Sequence, residues 1–233
     1  MSGAPTTKAT RQVSPAEPLV VSGPPARFVG RGAHKLEGAL KAFQINVSGR
    51  HALDAGSSTG GFTDCMLQSG AATVVAVDVG TNQLHERLRA NPHIDVREST
   101  DIRTITPELF SHDLLRMAGF GVIVADLSFI STRSLLPVLA PLLARDGDMI
   151  VLVKPQFEAG RQEVSKGRGI IRDPAIWTRV LHEFIDGATN AGLEVEDLAT
   201  SPITGGKGNV EFLAHLRRAD ILTNVNPEEE KIR

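Results

Sequence analysis

The sequence contains no tyrosine, one tryptophan and one cysteine, and aromatic residues make up only 4% of it. A single thiol excludes an internal disulfide framework and fits a reducing compartment, here expected to be the cytoplasm. Cys65 lies in an apolar run on a predicted helix, so a packed thiol is expected rather than a nucleophile. No apolar run approaches the ~18 residues of a membrane span, and the polar N-terminus is not a signal peptide. Partnership with a membrane is therefore not expected. The seven histidines are scattered without ligand spacing, so no metal is expected either. Positive charge is not in excess: the formal net charge is −2, which argues against a protein that holds nucleic acid by charge alone. So few aromatics also leave little surface on which splayed bases can stack.

What remains is the composition of a soluble globular chain, 41% hydrophobic and 22% charged. Its 233 residues can bury one sizeable core. Residues 1–26, rich in Pro, Ser, Thr, Gly and Ala, read as a flexible leader or linker. Residues 27–220 carry the periodic patterns of a folded domain, and 221–233, with the run Glu228–Glu230, read as a polar tail.

Within the folded part, helical and strand patterns alternate. Leu36, Leu40 and Phe43 stand at helical spacing in Arg31–Phe43. "HALDAG" reads as a strand, Gly61–Gln68 as a helix and "TVVAVDVG" as a second strand. Asn82–Arg89 is a helix that stops before Asn91-Pro92, and "IDVRES" is strand three. Further helices are predicted over Pro107–Met117 and Leu135–Ala144, on either side of the strand "GVIVADLSF". "DMIVLVKP" is strand five, and Asp173-Pro174 opens a helix that runs to Asn190. "EVEDLATSP" and "VEFLAHLRR" close the domain with no helix between them, so they are expected to pair antiparallel. The class is α/β: a doubly wound, Rossmann-like, seven-stranded and mostly parallel sheet with an antiparallel last strand. That is the plan of class I methyltransferases.

The turn "LDAGSSTGGF" after strand one decides among ligands. A phosphate-binding loop needs Gly-Lys-Ser/Thr entering the helix, and here Gly60-Gly61-Phe62-Thr63 supplies no lysine. A dinucleotide fingerprint needs G-x-G-x-x-G, which the spacing of Gly56, Gly60 and Gly61 does not match. S-adenosyl-L-methionine suits it better. Asp54 can meet the ammonium group, while Gly56, Ser58, Gly60, Gly61 and Phe62 form the turn that lets backbone approach the methionine moiety. Asp78, after strand two and followed by Val79, can accept from the ribose hydroxyls. Strand-end caps are the bland alternative, but two acids bracketing a Gly-rich turn favour the cofactor.

Lys35, Asp126, Lys154 and Glu211 fall where the strands reach the carboxyl edge of the sheet, the edge at which doubly wound folds bind ligands. Buried unpaired charges there are costly, so a structural Asp126–Lys154 ion pair is the simplest alternative to a functional role. The segments "RFVGRGAHKLEGALKAF", "LDAGSSTGGFTDCMLQSGA", "VVAVDVGTNQL", "VADLSFIS", "LVKPQFEAGR", "RDP" and "GNVEFLAHL" resemble, in order and register, the TlyA (haemolysin A) family. This family is a branch of the FtsJ-like ribose 2′-O-methyltransferases. The resemblance spans about Arg27 to Leu216 and implies a catalytic Lys-Asp-Lys-Glu set at Lys35, Asp126, Lys154 and Glu211. It also implies S-adenosyl-L-methionine as cofactor and cytidine 2′-hydroxyls of ribosomal RNA as targets, with ribosomal subunits as partners. In that setting Lys154 takes or polarises the hydroxyl proton, Asp126 and Glu211 hold the lysines, and Lys35 steers the hydroxyl or a phosphate.

The chain departs from the family pattern in three places. The basic S4-type RNA-binding domain usual at the family's N-terminus is expected to be missing, since the residues ahead of the fold read as a linker remnant. Thr81-Asn82 and His85-Glu86 replace a usual Tyr-Gly pair and Trp, and Asp101 stands beside the expected adenine pocket, where it can still accept from the amino group. RNA docking then falls to local patches: Lys166–Arg172, Arg161, and the helix carrying Lys35 and Lys41. A small nucleoside or other metabolite is the alternative substrate, and a membrane-active haemolysin is disfavoured by the lack of any amphipathic or apolar membrane segment.

Overall fold

The computed structural model describes residues 26–106 and 118–219, with residues 10, 12–16 and 109. The expected leader and tail, and the helix expected over Pro107–Met117, lie outside the described residues. The described elements run α1 (Ala33–Ala42), β1 (His51–Ala55), α2 (Gly61–Gln68), β2 (Thr73–Val77), α3 (Glu86–Arg89) and β3 (Ile94–Arg97). They continue with β4 (Phe120–Ala125), α4 (Leu136–Leu139), β5 (Leu143–Val153), α5 (Pro155–Glu158), α6 (Arg161–Lys166), α7 (Pro174–Asn190), β6 (Leu193–Thr200) and β7 (Phe212–Arg218).

The seven strands form one sheet in the order β3-β2-β1-β4-β5-β7-β6. All pairings are parallel except those of β7, which runs antiparallel to both β5 and β6. The expected plan of a doubly wound sheet with a reversed last strand is therefore what the chain adopts. Period-two alternation explains why the strands are apolar throughout. Leu53, Val75, Ile123, Met149 and Val151 face one core with α7, while Ala52, Val74, Val122, Ile150 and Leu152 face a second core with α1 and α2. Helices cover both faces of the central strands, while the edge strands β3 and β6 keep polar residues exposed to water.

Three expectations about elements are corrected. The helix expected over Leu135–Ala144 is only a single turn, α4, followed by a 3-10 turn over Ala140–Leu142. Pro141 supplies no N–H to continue the helix. The chain turns extended at Leu143, and β5 begins there rather than at Asp148, with an irregularity before the Val122–Asp148 pairing. The helix expected from Asn82 starts only at Glu86, because the Glu98 carboxylate accepts the backbone N–H groups of Asn82, Gln83 and Leu84 and holds them in a loop. Helices α5 and α6 had no counterpart in the sequence reading.

At the amino edge of the sheet a charged knot ties β1, β5 and β7 together. Asp148, 4% exposed, accepts from Arg50 at 2.6 Å, His215 at 2.8 Å and Arg217 at 2.9 Å. Burial alone raises a carboxyl's pKa, but the hydrogen bonds from His215, Arg50 and Arg217 prevail and hold Asp148 well below the ordinary carboxylate range. A depressed carboxyl contributes stability above its unfolded value and loses it as pH falls. Asp148→Asn is thus expected to destabilise the fold by on the order of 3 kcal/mol at neutral pH. The deficit should shrink on acidification below about pH 4, and urea unfolding at the two pH values measures it.

Candidate active site

A cleft of about 540 Å³ opens at the carboxyl edge, where the strand order reverses between β1 and β4. Its walls come from the turn after β1 (Gly56, Ser58, Gly61, Phe62), the exit of β4 (Asp126, Ser128, Phe129) and the exit of β5 (Lys154, Gln156, Phe157). Lys35 on α1 and Glu211, one residue ahead of β7, complete it. Because β7 is antiparallel, its start lies at the same edge as the ends of β4 and β5. Residues far apart in sequence are so brought to one place.

The four charges expected there do meet. Lys154 Nζ lies 2.5 Å from Asp126 Oδ1, and Lys35 Nζ lies 2.5 Å from Glu211 Oε2 and 3.8 Å from Asp126 Oδ2. Both lysines are 6% exposed and Glu211 is 3% exposed. The result is an alternating chain, Lys154–Asp126–Lys35–Glu211, with no net charge, which is how such charges are tolerated away from water. Lys154 also donates to the Ser128 hydroxyl at 3.1 Å, and Gln156 donates to Glu211 Oε1 at 3.4 Å.

The turn that faces these charges has a backbone only glycine adopts easily. Gly56 has φ of +88°, and a Cβ there would stand 2.7 Å from the Asp126 carbonyl oxygen. Gly60, at φ +93°, is demanded instead by packing, since a Cβ would meet Leu88 and Leu84. Beneath the turn, Asp54 is fully buried; its Oδ2 accepts from Thr63 at 2.6 Å and its Oδ1 has no partner. Burial pushes the Asp54 carboxyl up to about 7, against the Thr63 hydrogen bond and with Asp126 and Asp78 adding repulsion. Asp54 does not itself line the cleft, but its one unmet acceptor, beneath a turn that Gly56 leaves open to close approach, fits the ammonium end of S-adenosyl-L-methionine.

A raised carboxyl favours the fold at pH values where both states are protonated and loses that advantage as pH rises. Asp54→Asn is therefore expected to equal the parent protein near its ordinary value of 3.8 and to gain stability over it up to about pH 7. Above that the gain is constant. Urea midpoints measured across this range, without cofactor, test it; a flat difference would show that Asp54 ionises freely.

The remaining cofactor candidates are placed differently from one another. Asp78 Oδ2 accepts from the Ser58 N–H at 2.8 Å and Oδ1 from the Gly80 N–H at 2.7 Å. Each oxygen expected to serve a ribose is thus already engaged once, and keeps one lone pair. Val79 is 71% exposed beside it and does not line the cleft. Asp101 does not line it either: its carboxylate caps the turn Ile102–Thr104 and is taken by Arg103, which holds it down to about 2. Cys65 is the packed thiol expected, 2% exposed, with burial pushing it up to about 12.

Sequence reasoning missed three groups at the cleft. Phe129 is 91% exposed at φ +67°, a conformation a bulky residue rarely takes, and its ring lies 5.2 Å from that of Phe157. Lys154 Nζ in turn stands 5.7 Å from the Phe157 ring. Asn209, 3% exposed, accepts from the Ile171 N–H and donates to the Gly169 carbonyl, joining two loops at the rim. The Gly-rich spacing of "TGGKGN" was the only signal for that turn.

The profile of FtsJ-like methyltransferases matches residues 28–218. A candidate rRNA methyltransferase, YqxC, of Bacillus subtilis is 50% identical over 199 residues, which are 85% of this chain and 69% of the relative. The 16S/23S rRNA (cytidine-2′-O)-methyltransferase TlyA of Mycobacterium tuberculosis H37Rv is 44% identical over 218 residues, 93% of this chain and 79% of the relative. Among solved structures, a candidate hemolysin from Streptococcus thermophilus superposes with a TM-score of 0.78 at 44% identity, covering 85% of this chain and 70% of that one.

Proposed function

We propose that this chain, which belongs to the FtsJ-like methyltransferase family, transfers a methyl group from S-adenosyl-L-methionine to a ribose 2′-hydroxyl of ribosomal RNA. The observation that carries this is the Lys154–Asp126 contact of 2.5 Å in the cleft that the Gly56–Phe62 turn also lines. A ribose hydroxyl is a poor nucleophile and needs a base and fixed geometry. Bound S-adenosyl-L-methionine supplies an electrophilic methyl group on a sulfonium. Asp54 and Asp78 anchor its ends, and Gly56 keeps the approach clear of side chains.

On the acceptor side, Lys154 gives one proton to solvent and, as the amine, takes the hydroxyl proton as the methyl group is transferred, while Asp126 fixes its Nζ. Glu211 fixes Lys35, and Lys35, 3.8 Å from Asp126, directs the hydroxyl. Phe129 and Phe157 give a ring surface on which the target base can stack, so the scarcity of aromatics does not leave the cleft without one. The cytidine specificity in the name of the Mycobacterium tuberculosis relative is the finer expectation for this chain. The reaction then takes place in the cytoplasm with ribosomal subunits as partners. A small nucleoside is the competing substrate, favoured by the net charge of −2.

The test is methyl transfer from radiolabelled S-adenosyl-L-methionine to ribosomal subunits, naked ribosomal RNA and a nucleoside panel. Label recovered as a 2′-O-methylnucleoside from RNA supports the assignment. Label confined to free nucleosides would replace RNA with a metabolite as the substrate.

A further inference from the structure

Arginines on most of the surface are matched with acids. Arg50 and Arg217 meet Asp148, Arg87 meets Asp64, and Arg133 and Arg179 meet Glu183. Among the described residues, Arg31, Arg145, Arg161, Arg168, Arg172 and Arg218 have no carboxylate within ion-pair distance, and neither have Lys166 and Lys207. Arg218 donates to the Leu143 carbonyl instead. Arg145, near the amino end of β5, is far from the cleft, and Lys41 at the end of α1 likewise has no ion pair among the described residues and does not line it.

Two of the others reach the cleft rim, together with the segment that carries Arg161, Lys166, Arg168 and Arg172. Arg31 and Lys207 line it, and Val164 and Gly169 of the segment 161–172 line it from the other loop. Arg31 packs against Gly206, where an added Cβ would stand 3.3 Å from its Nη2. Arg168, at φ +52° between two glycines, is exposed, as are Arg31 and Lys207. The one acid on α6, Glu163, is turned away to Arg179 at 2.6 Å and to the Gly160 N–H. Asn209 ties the loop of Arg168 to the turn of Lys207, so the cations are presented on a joined frame rather than on separate loops. On a chain of net charge −2, the unneutralised cations that meet at this rim form a local docking site for anions.

We propose that Arg31, Arg168 and Lys207 grip the phosphates of a single RNA strand on either side of the nucleotide in the cleft. This deepens the assignment of RNA as substrate and rests on it. The contacts are to backbone, so they position the strand without reading sequence. They also answer how a slightly acidic chain engages RNA: its charge is sorted rather than summed.

The experiment measures binding of a short fluorescein-labelled single-stranded RNA by anisotropy over a salt series, alongside methyl transfer to ribosomal subunits. Each of Arg31→Ala, Arg168→Ala and Lys207→Ala is expected to reduce the slope of log affinity on log salt by about 0.7, and the triple variant by about 2. Cofactor affinity should be unchanged. Arg145→Ala, an equal loss of unpaired charge at the opposite edge, should leave the slope as it was. A triple variant with the parent slope overturns the rim, even if ribose methylation of RNA is found. A reduced slope with label only in free nucleosides keeps the rim and overturns the RNA acceptor instead.

Discussion

Lys154→Ala should lower the rate of methyl transfer by roughly 10³-fold while S-adenosyl-L-methionine binds within a few-fold of its normal affinity. The expectation follows from where Lys154 stands. Its Nζ is 2.5 Å from Asp126 and 3.1 Å from Ser128 in the cleft wall, which neither Asp54 nor Asp78 lines. Removing it leaves Asp126 with Lys35 at 3.8 Å, so the remaining carboxylate is not stranded. Lys154→Arg sharpens the test, because guanidinium keeps the charge but does not give up its proton at any working pH. Arg should restore the ion pair and not the activity. Asp78→Ala is the converse: cofactor affinity falls by about tenfold, and turnover at saturating cofactor survives. Single-turnover rates and equilibrium cofactor binding on the three variants separate these effects. Near-normal turnover by Lys154→Ala on its true acceptor would remove Lys154 from the chemistry.

The sheet was legible because parallel strands covered on both faces are written as short unbroken apolar runs, and β1, β2, β4 and β5 each read that way. Their ends were legible for the same reason. Asp78, Asp126 and Lys154 interrupt such runs one residue past the last paired position, which is the edge where ligands bind. Local pattern failed where tertiary partners decide. Nothing near Asn82 announces that Glu98, sixteen positions on, takes three backbone N–H groups and holds the loop open. Spacing could not say that Arg103, two residues on, claims Asp101 before any ligand does. Phe129 offers no glycine signal for its left-handed backbone, and nothing in its spacing announces that its ring lines the cleft beside Phe157. The exit of α4 was misjudged because Leu, Ala and Val repeat there as well for a helix as for a strand, and Pro141 was not given the weight it carries.

Glu211→Leu is expected to destabilise the protein by about 3 kcal/mol and, combined with Lys35→Met, to recover most of that loss. Glu211 and Lys35 are 3% and 6% exposed and 2.5 Å apart, so Leu alone strands a buried ammonium whose nearest remaining carboxylate oxygen is 3.8 Å away. Taking both charges away removes the desolvation cost of both, and Leu and Met fill similar volume. Urea unfolding of the two single variants and the double variant gives the coupling between the residues. Methyl transfer should stay lost in all three. Recovered stability without recovered activity would mean that the fold does not need this ion pair, and that its place in the cleft is owed to the reaction. A double variant no more stable than Glu211→Leu would mean the reverse: that the pair is part of the packing of α1 against β7, and that Lys35 and Glu211 belong to the frame of the site rather than to its chemistry.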